Sequence, residues 1–170
     1  MAGQLGAGAD RSASPRGGSA PKSLYGPKGE SLNDQASRPS IRWSSVCVDC
    51  SDAEATAEFY GQLLGWEITD RDEPATPGGG SPWIALRDPQ GGVGLLFQAE
   101  PWYEPPVWPE QSGRQTKMLH LEIHVDDVDA AVERAVALGA TVAPQQPPDR
   151  DPKELRVLLD PAGHPFCLWK

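Results

Sequence analysis

Two stretches of this chain follow one plan, and that repetition limits its possible folds more than any other feature. A run of alternating polarity from Trp43 to Cys50 leads into Ser51-Asp52, a helical pattern over Ala53 to Leu64, and Gly65. A second alternating run, Met118 to Val125, leads into Asp126-Asp127, a helical pattern from Val128 to about Leu138, and Gly139. Asp52 to Gly65 spans 13 residues, and Asp127 to Gly139 spans 12. Leu63-Leu64-Gly65-Trp66-Glu67-Ile68 is echoed by Ala137-Leu138-Gly139-Ala140-Thr141-Val142. The Asp88-Pro89-Gln90-Gly91 turn lies 36 residues after Asp52, and its counterpart Asp160-Pro161-Ala162-Gly163 lies 33 after Asp127.

Each copy reads as strand, helix, then three strands. In the first the later strands are Trp66–Thr69, Trp83–Leu86 and Val93–Gln98; in the second, Thr141–Ala143, Leu155–Leu159 and His164–Trp169. The aspartates ahead of each helix suit N-caps, and the glycines behind suit C-terminal stops. The reading is α+β, with two βαβββ modules at about 41–100 and 117–170. Glu100 to Lys117 is too long and Pro-rich for a hairpin and should be a crossover between them. One helix covers only one face of a sheet, so the other face needs the second module or a ligand. Paired modules of this kind would form a curved mixed sheet around an open groove, the natural place for function.

Composition bounds the rest. The chain holds 18 Gly and 18 Pro, and the excess is uneven. Residues 1–40 are rich in Gly, Ser, Ala and Pro and show no period of 2 or 3.6, so they are expected to be a disordered tail ahead of a domain at 41–170. A net charge of -9 argues against binding a phosphate backbone. No stretch approaches the roughly 18 apolar residues of a membrane span, and the N-terminus lacks the apolar centre of a signal peptide. The expected location is therefore cytoplasmic, with the three cysteines reduced.

Strand alternation sorts the side chains into faces. Val46, Val48 and Cys50 are assigned to the helix side, which turns Ser45, Cys47 and Asp49 toward the groove. In the second module Leu121, Ile123 and Val125 face the helix, and His120, Glu122 and His124 face the groove. On the last strand Phe166 and Leu168 are assigned to the core and Cys167 to the groove. Cys47 and Cys50 have the spacing of a redox or zinc pair, but residues three apart on a strand point to opposite faces.

These residues carry a family resemblance. Val48-Asp49-Cys50-Ser51-Asp52 with Tyr60 and Gly65-Trp66, the repeat itself, Met118 to Ala131, and Asp160-Pro161-Ala162-Gly163-His164-Pro165-Phe166-Cys167-Leu168 together resemble glyoxalase-like domains of the glyoxalase/bleomycin resistance/dioxygenase (vicinal oxygen chelate) superfamily. Pro105-Pro106-Val107-Trp108-Pro109 is similar to the crossover of a bacterial subgroup. The resemblance implies paired βαβββ modules about a groove. It also implies, for metal-dependent members, one ligand on the first and last strand of each module. Those positions fall on Ser45, about Phe97 (within one residue), His120 and Cys167. Only His120 is a standard ligand, Cys167 is a soft one, and a divalent ion needs three or four donors. No cofactor and no metal are therefore expected, the alternative being an ion shared by two of His120, Glu122 and His124, which form His-x-Glu-x-His on one strand face.

The leading expectation is metal-independent binding of a small organic molecule by Ser45, Cys47, Asp49, Phe97, Trp108, His120, Glu122 and Cys167. The alternative is a lyase, isomerase or dioxygenase of the superfamily in which His120 is a general base oriented by Glu122. A third reading is a non-catalytic module that forms a homodimer through sheet edges. Trp102 and Trp108 read either as an aromatic lid or as edge packing. Cys167 reads as an apolar filler or a nucleophile, and His124 and His164 read as structural.

Overall fold

The protein is described by a computed structural model covering residues 39–74 and 79–170. The tail expected over 1–40 lies, up to residue 38, outside the described residues. The first module runs β1 (Ser45–Cys50), α1 (Ala53–Leu64), β2 (Ile68–Arg71), β3 (Trp83–Leu86) and β4 (Gly94–Ala99). The second runs β5 (Leu121–His124), α2 (Val128–Ala137), β6 (Thr141–Val142), β7 (Leu155–Leu159) and β8 (Pro165–Trp169). Each module forms a four-stranded mixed sheet, in the orders β1-β4-β3-β2 and β5-β8-β7-β6. In each, the first and last strands pair in parallel and the remaining neighbours are antiparallel. The α+β reading and its two βαβββ modules hold.

Local chemistry sets the helix bounds. The Asp52 carboxylate accepts from the Ala55 backbone N–H at 3.1 Å, and Asp127 does the same for Ala130 at 3.1 Å. Both caps relieve an orphan donor of the first turn. Gly65 ends α1 at φ 70, a conformation that disfavours any residue with a Cβ. The Trp66 N–H then donates back to the Gly61 carbonyl at 2.9 Å. That closure keeps Trp66 out of the next ladder, so β2 begins at Ile68, two residues later than its polarity suggests. Met118 has a positive φ of 53, and β5 starts only at Leu121 rather than at Met118. Between β3 and β4 the backbones come so close that a Cβ on Gly94 would lie 2.7 Å from the Leu86 carbonyl oxygen.

One apolar cluster joins both modules. Tyr60 of α1 stacks on Phe97 with ring centroids 5.3 Å apart, and Phe59 meets Phe166 of β8 edge-on at 5.9 Å. Ile84, Leu86, Leu158 and Leu168 fill in around them, all fully buried. Each such side chain contributes about 1.5–3 kcal/mol by leaving water. The first module's helix therefore meets the second module's last strand through the rings of Phe59, Tyr60 and Phe166.

Phe97 corrects the sequence reading. It was expected near a groove ligand position, yet it is fully buried in this cluster. Val48, on the helix side of β1, pairs with Phe97, whereas Cys47 pairs with Leu96 and Asp49 with Gln98. The groove-side residues of β4 are thus Leu96 and Gln98. Pairing sets the parity of this strand, and a count from the preceding turn does not.

Candidate functional site

The two polar faces expected from alternation are present, but they form two separate places. On the second module His120 Nε2 lies 2.6 Å from Glu122 Oε1. Glu122 is paired across the ladder with Cys167. Donor atoms of His120, Glu122 and Cys167 all lie within 4.8 Å of one another. Cys167 is nearly buried, and its thiol is pushed up to about 12, first by loss of solvent and then by the Glu122 carboxylate beside it. His124 is exposed and turns its ring edge-on to Trp169 at 4.8 Å.

The crossover covers the Cys167 part of this face and leaves His120 and Glu122 exposed. Trp108 packs with Ala143, Val157 and Cys167, and its indole N–H donates to the Gln145 carbonyl at 2.7 Å. The Lys117 ammonium sits 5.0 Å from the Trp108 ring and pairs with Glu110. Trp108 is thus a cover over the Cys167 side of the sheet.

On the first module Cys47 and Asp49 open onto a cleft of about 430 Å³, completed by the crossover through Glu100, Tyr103, Lys117 and Leu119. The Cys47 thiol lies 3.8 Å from Gln98 Oε1. That thiol is raised by burial and then by Asp49 and Glu100, whose charges oppose a thiolate. Among the described residues, His120, Glu122 and Cys167 do not line this cleft, although Leu119, the residue before His120, does. Ser45 also lies outside it; its hydroxyl is 3.3 Å from that of Ser44.

Sequence reasoning missed a third constellation behind the cleft. Asp160, in the β7–β8 turn, is 4 % exposed. One carboxylate oxygen accepts the backbone N–H groups of Ala162 and His164, each at 2.9 Å. The other accepts the Tyr60 hydroxyl at 3.0 Å and lies 3.1 Å from His164 Nδ1. His164 Nε2 in turn meets the Tyr103 hydroxyl at 3.1 Å, and that hydroxyl donates to the Ala162 carbonyl at 2.8 Å. Burial, then the Asp160 charge, pushes the Tyr60 and Tyr103 hydroxyls above the usual phenol range. The chain of contacts ties the first module's helix to the second module's turn and to the cleft wall. Its one sequence signal was Tyr60 on the apolar face of α1, since a buried phenol needs a polar partner.

The matching βαβββ halves, the Asp-Pro-x-Gly turns and the cleft beside the crossover agree with a model of glyoxalase-like domains that matches residues 45–169. This chain belongs to the glyoxalase-like domain family. The candidate glyoxylase CFP32 of Mycobacterium bovis, and its counterpart in Mycobacterium tuberculosis, are 28% identical over 127 residues. That match covers 74% of this chain but 44% of theirs, so this chain accounts for less than half of those relatives' length. A glyoxalase/bleomycin resistance protein/dioxygenase family enzyme from Burkholderia phytofirmans shares the fold at a TM-score of 0.51 and 23% identity, over 75% of this chain and 97% of its own. A possible glyoxalase from Bacillus cereus does so at 0.53 and 16%, over 77% and 100%.

Metal-dependent family members draw ligands from both modules. Here the first-module positions are Ser45 and, by the observed register, Leu96. Leu96 has no donor atom and Ser45 is engaged with Ser44. The residues of this glyoxalase-like chain therefore do not fit a two-module metal centre. The second module alone supplies an imidazole, a carboxylate and a thiol.

Proposed function

We propose that this glyoxalase-like domain binds a small organic molecule in the cleft between the first module's sheet and the crossover, without a metal. The observation that carries the reading is the cleft itself. A hollow of about 430 Å³ lies within the usual size of ligand pockets and combines apolar walls with convergent polar groups. Of the residues expected from sequence, Cys47 and Asp49 contact the ligand; Cys167 lies under Trp108 on the neighbouring face, where His120 and Glu122 are exposed. The domain would work in the cytoplasm with reduced thiols, and its acidity makes nucleic acid an unsuitable partner. No described helix is long and apolar enough to cross a membrane.

The test is a fluorescence titration of the full chain with aromatic small molecules, read through Trp102 at the cleft. Saturable quenching that is lost in Trp102→Ala supports the reading. Failure of every probe to quench Trp102 would overturn it.

A second reading is favoured by the 2.6 Å contact between His120 and Glu122, the geometry of a base and its orienting carboxylate. In that case the chain is a lyase, isomerase or dioxygenase of the superfamily, and His120→Ala abolishes turnover while cleft binding persists. A homodimer remains open to β1 and β5, each of which ends its sheet.

A further inference from the structure

We infer that the cleft is built for a cationic amphiphile, an aromatic or alicyclic body carrying a protonated amine; this rests on the binding reading above and specifies its ligand. The apolar wall comes first. Trp102 is 91 % exposed, Met118 89 % and Leu119 58 %, and all three line the same cleft. Large apolar side chains left in water around one hollow mark a surface that gains by being covered.

Charge then selects the cover. Asp49, Glu100 and Glu104 line the cleft. None of the three is in an ion pair among the described residues. The cleft's one lysine, Lys117, is already engaged by Glu110 and lies over the Trp108 ring. Its histidine, His164, is held by the buried Asp160. The cleft therefore presents carboxylates with no free cation to answer them, beside an indole and a phenol whose faces also attract positive charge. An anionic ligand meets repulsion there. A planar ammonium compound gains Coulombic attraction, cation–π contact and apolar burial together.

Two tricyclic probes of similar size separate charge from shape: proflavine, a cation, and anthracene carboxylate, an anion. Each is titrated into the full chain, with quenching of Trp102 and isothermal calorimetry as readouts. Proflavine should bind at least tenfold more tightly at low salt, and the gap should narrow at high salt as exposed charges are screened. Asp49→Asn with Glu104→Gln should cut proflavine affinity about three- to tenfold and leave anthracene carboxylate unchanged or slightly tighter. Equal binding of the two probes, or preference for the anion, overturns the ligand class while the binding reading stands. Absence of any binding sensitive to Trp102→Ala overturns both.

Discussion

Removing one oxygen atom tests whether the two modules are locked together through Asp160. Tyr60→Phe keeps the ring stacked on Phe97 and deletes only the hydroxyl that donates to Asp160 at 3.0 Å. Tyr60 is 1 % exposed and Asp160 4 %, so water does not replace the lost donor. A hydrogen bond to a charged group is worth about 1.5–3 kcal/mol net. Asp160 keeps three other donors, from Ala162, His164 and the His164 ring, which favours the lower half of that range. The expected loss is about 2 kcal/mol, equivalent to a fall of roughly 5–10 °C in Tm for a domain of this size. Tyr103→Phe is the matched control. Its hydroxyl donates to the neutral Ala162 carbonyl and meets the His164 ring at a partly exposed position, with no direct bond to the carboxylate, and about 1 kcal/mol is expected. Urea unfolding of both variants, followed by tryptophan fluorescence, gives the two values. A Tyr60→Phe cost below about 0.5 kcal/mol, or no greater than that of Tyr103→Phe, would refute the claim that this buried carboxylate holds the modules together.

Three further outcomes follow from the geometry. Phe97→Ala should cost about 3–5 kcal/mol, as a fully buried aromatic does, whereas Gln98→Ala on the opposite face should cost little; similar values would place the strand in the other register. Gly94→Ala should destabilise by about 1–3 kcal/mol because its Cβ would meet the Leu86 carbonyl at 2.7 Å, and a neutral result in urea unfolding would count against that backbone approach. With its thiol raised to about 12, Cys167 holds little thiolate at neutral pH, so its alkylation by iodoacetamide should be slow at pH 7 and should accelerate only as pH climbs toward that value; mass spectrometry showing rapid modification at pH 7 would contradict the assignment.

The repeat made most of the fold legible before any coordinates. Helix α1 begins and ends where Asp52 and Gly65 say it should, because a side-chain acceptor and a left-handed glycine act locally. The faces of β1 and β5 were legible for the same reason, since alternation is a property of the strand itself. Phe97 was misplaced because the distance from the Asp-Pro-x-Gly turn to the groove position differs between the modules, so a count along the chain leaves the parity open and only pairing with β1 sets it. The split of the site was also invisible. Nothing local in Pro105 to Pro109 says that Trp108 will cover Cys167 and leave the cleft to Trp102. The Asp160–His164–Tyr103 contacts escaped because they join a helix, a crossover and a turn far apart in sequence, and because Asp88, the repeat partner of Asp160, sits in an ordinary exposed turn.

The most direct test of the account is a residue-resolved map of binding. Two-dimensional amide spectra of the full chain, recorded during a proflavine titration, should shift at Cys47, Asp49, Tyr103 and Leu119 and stay still at Val157 and Cys167. Shifts centred on the Cys167 face, with the cleft unmoved, would contradict the assignment of the ligand to the first module's side.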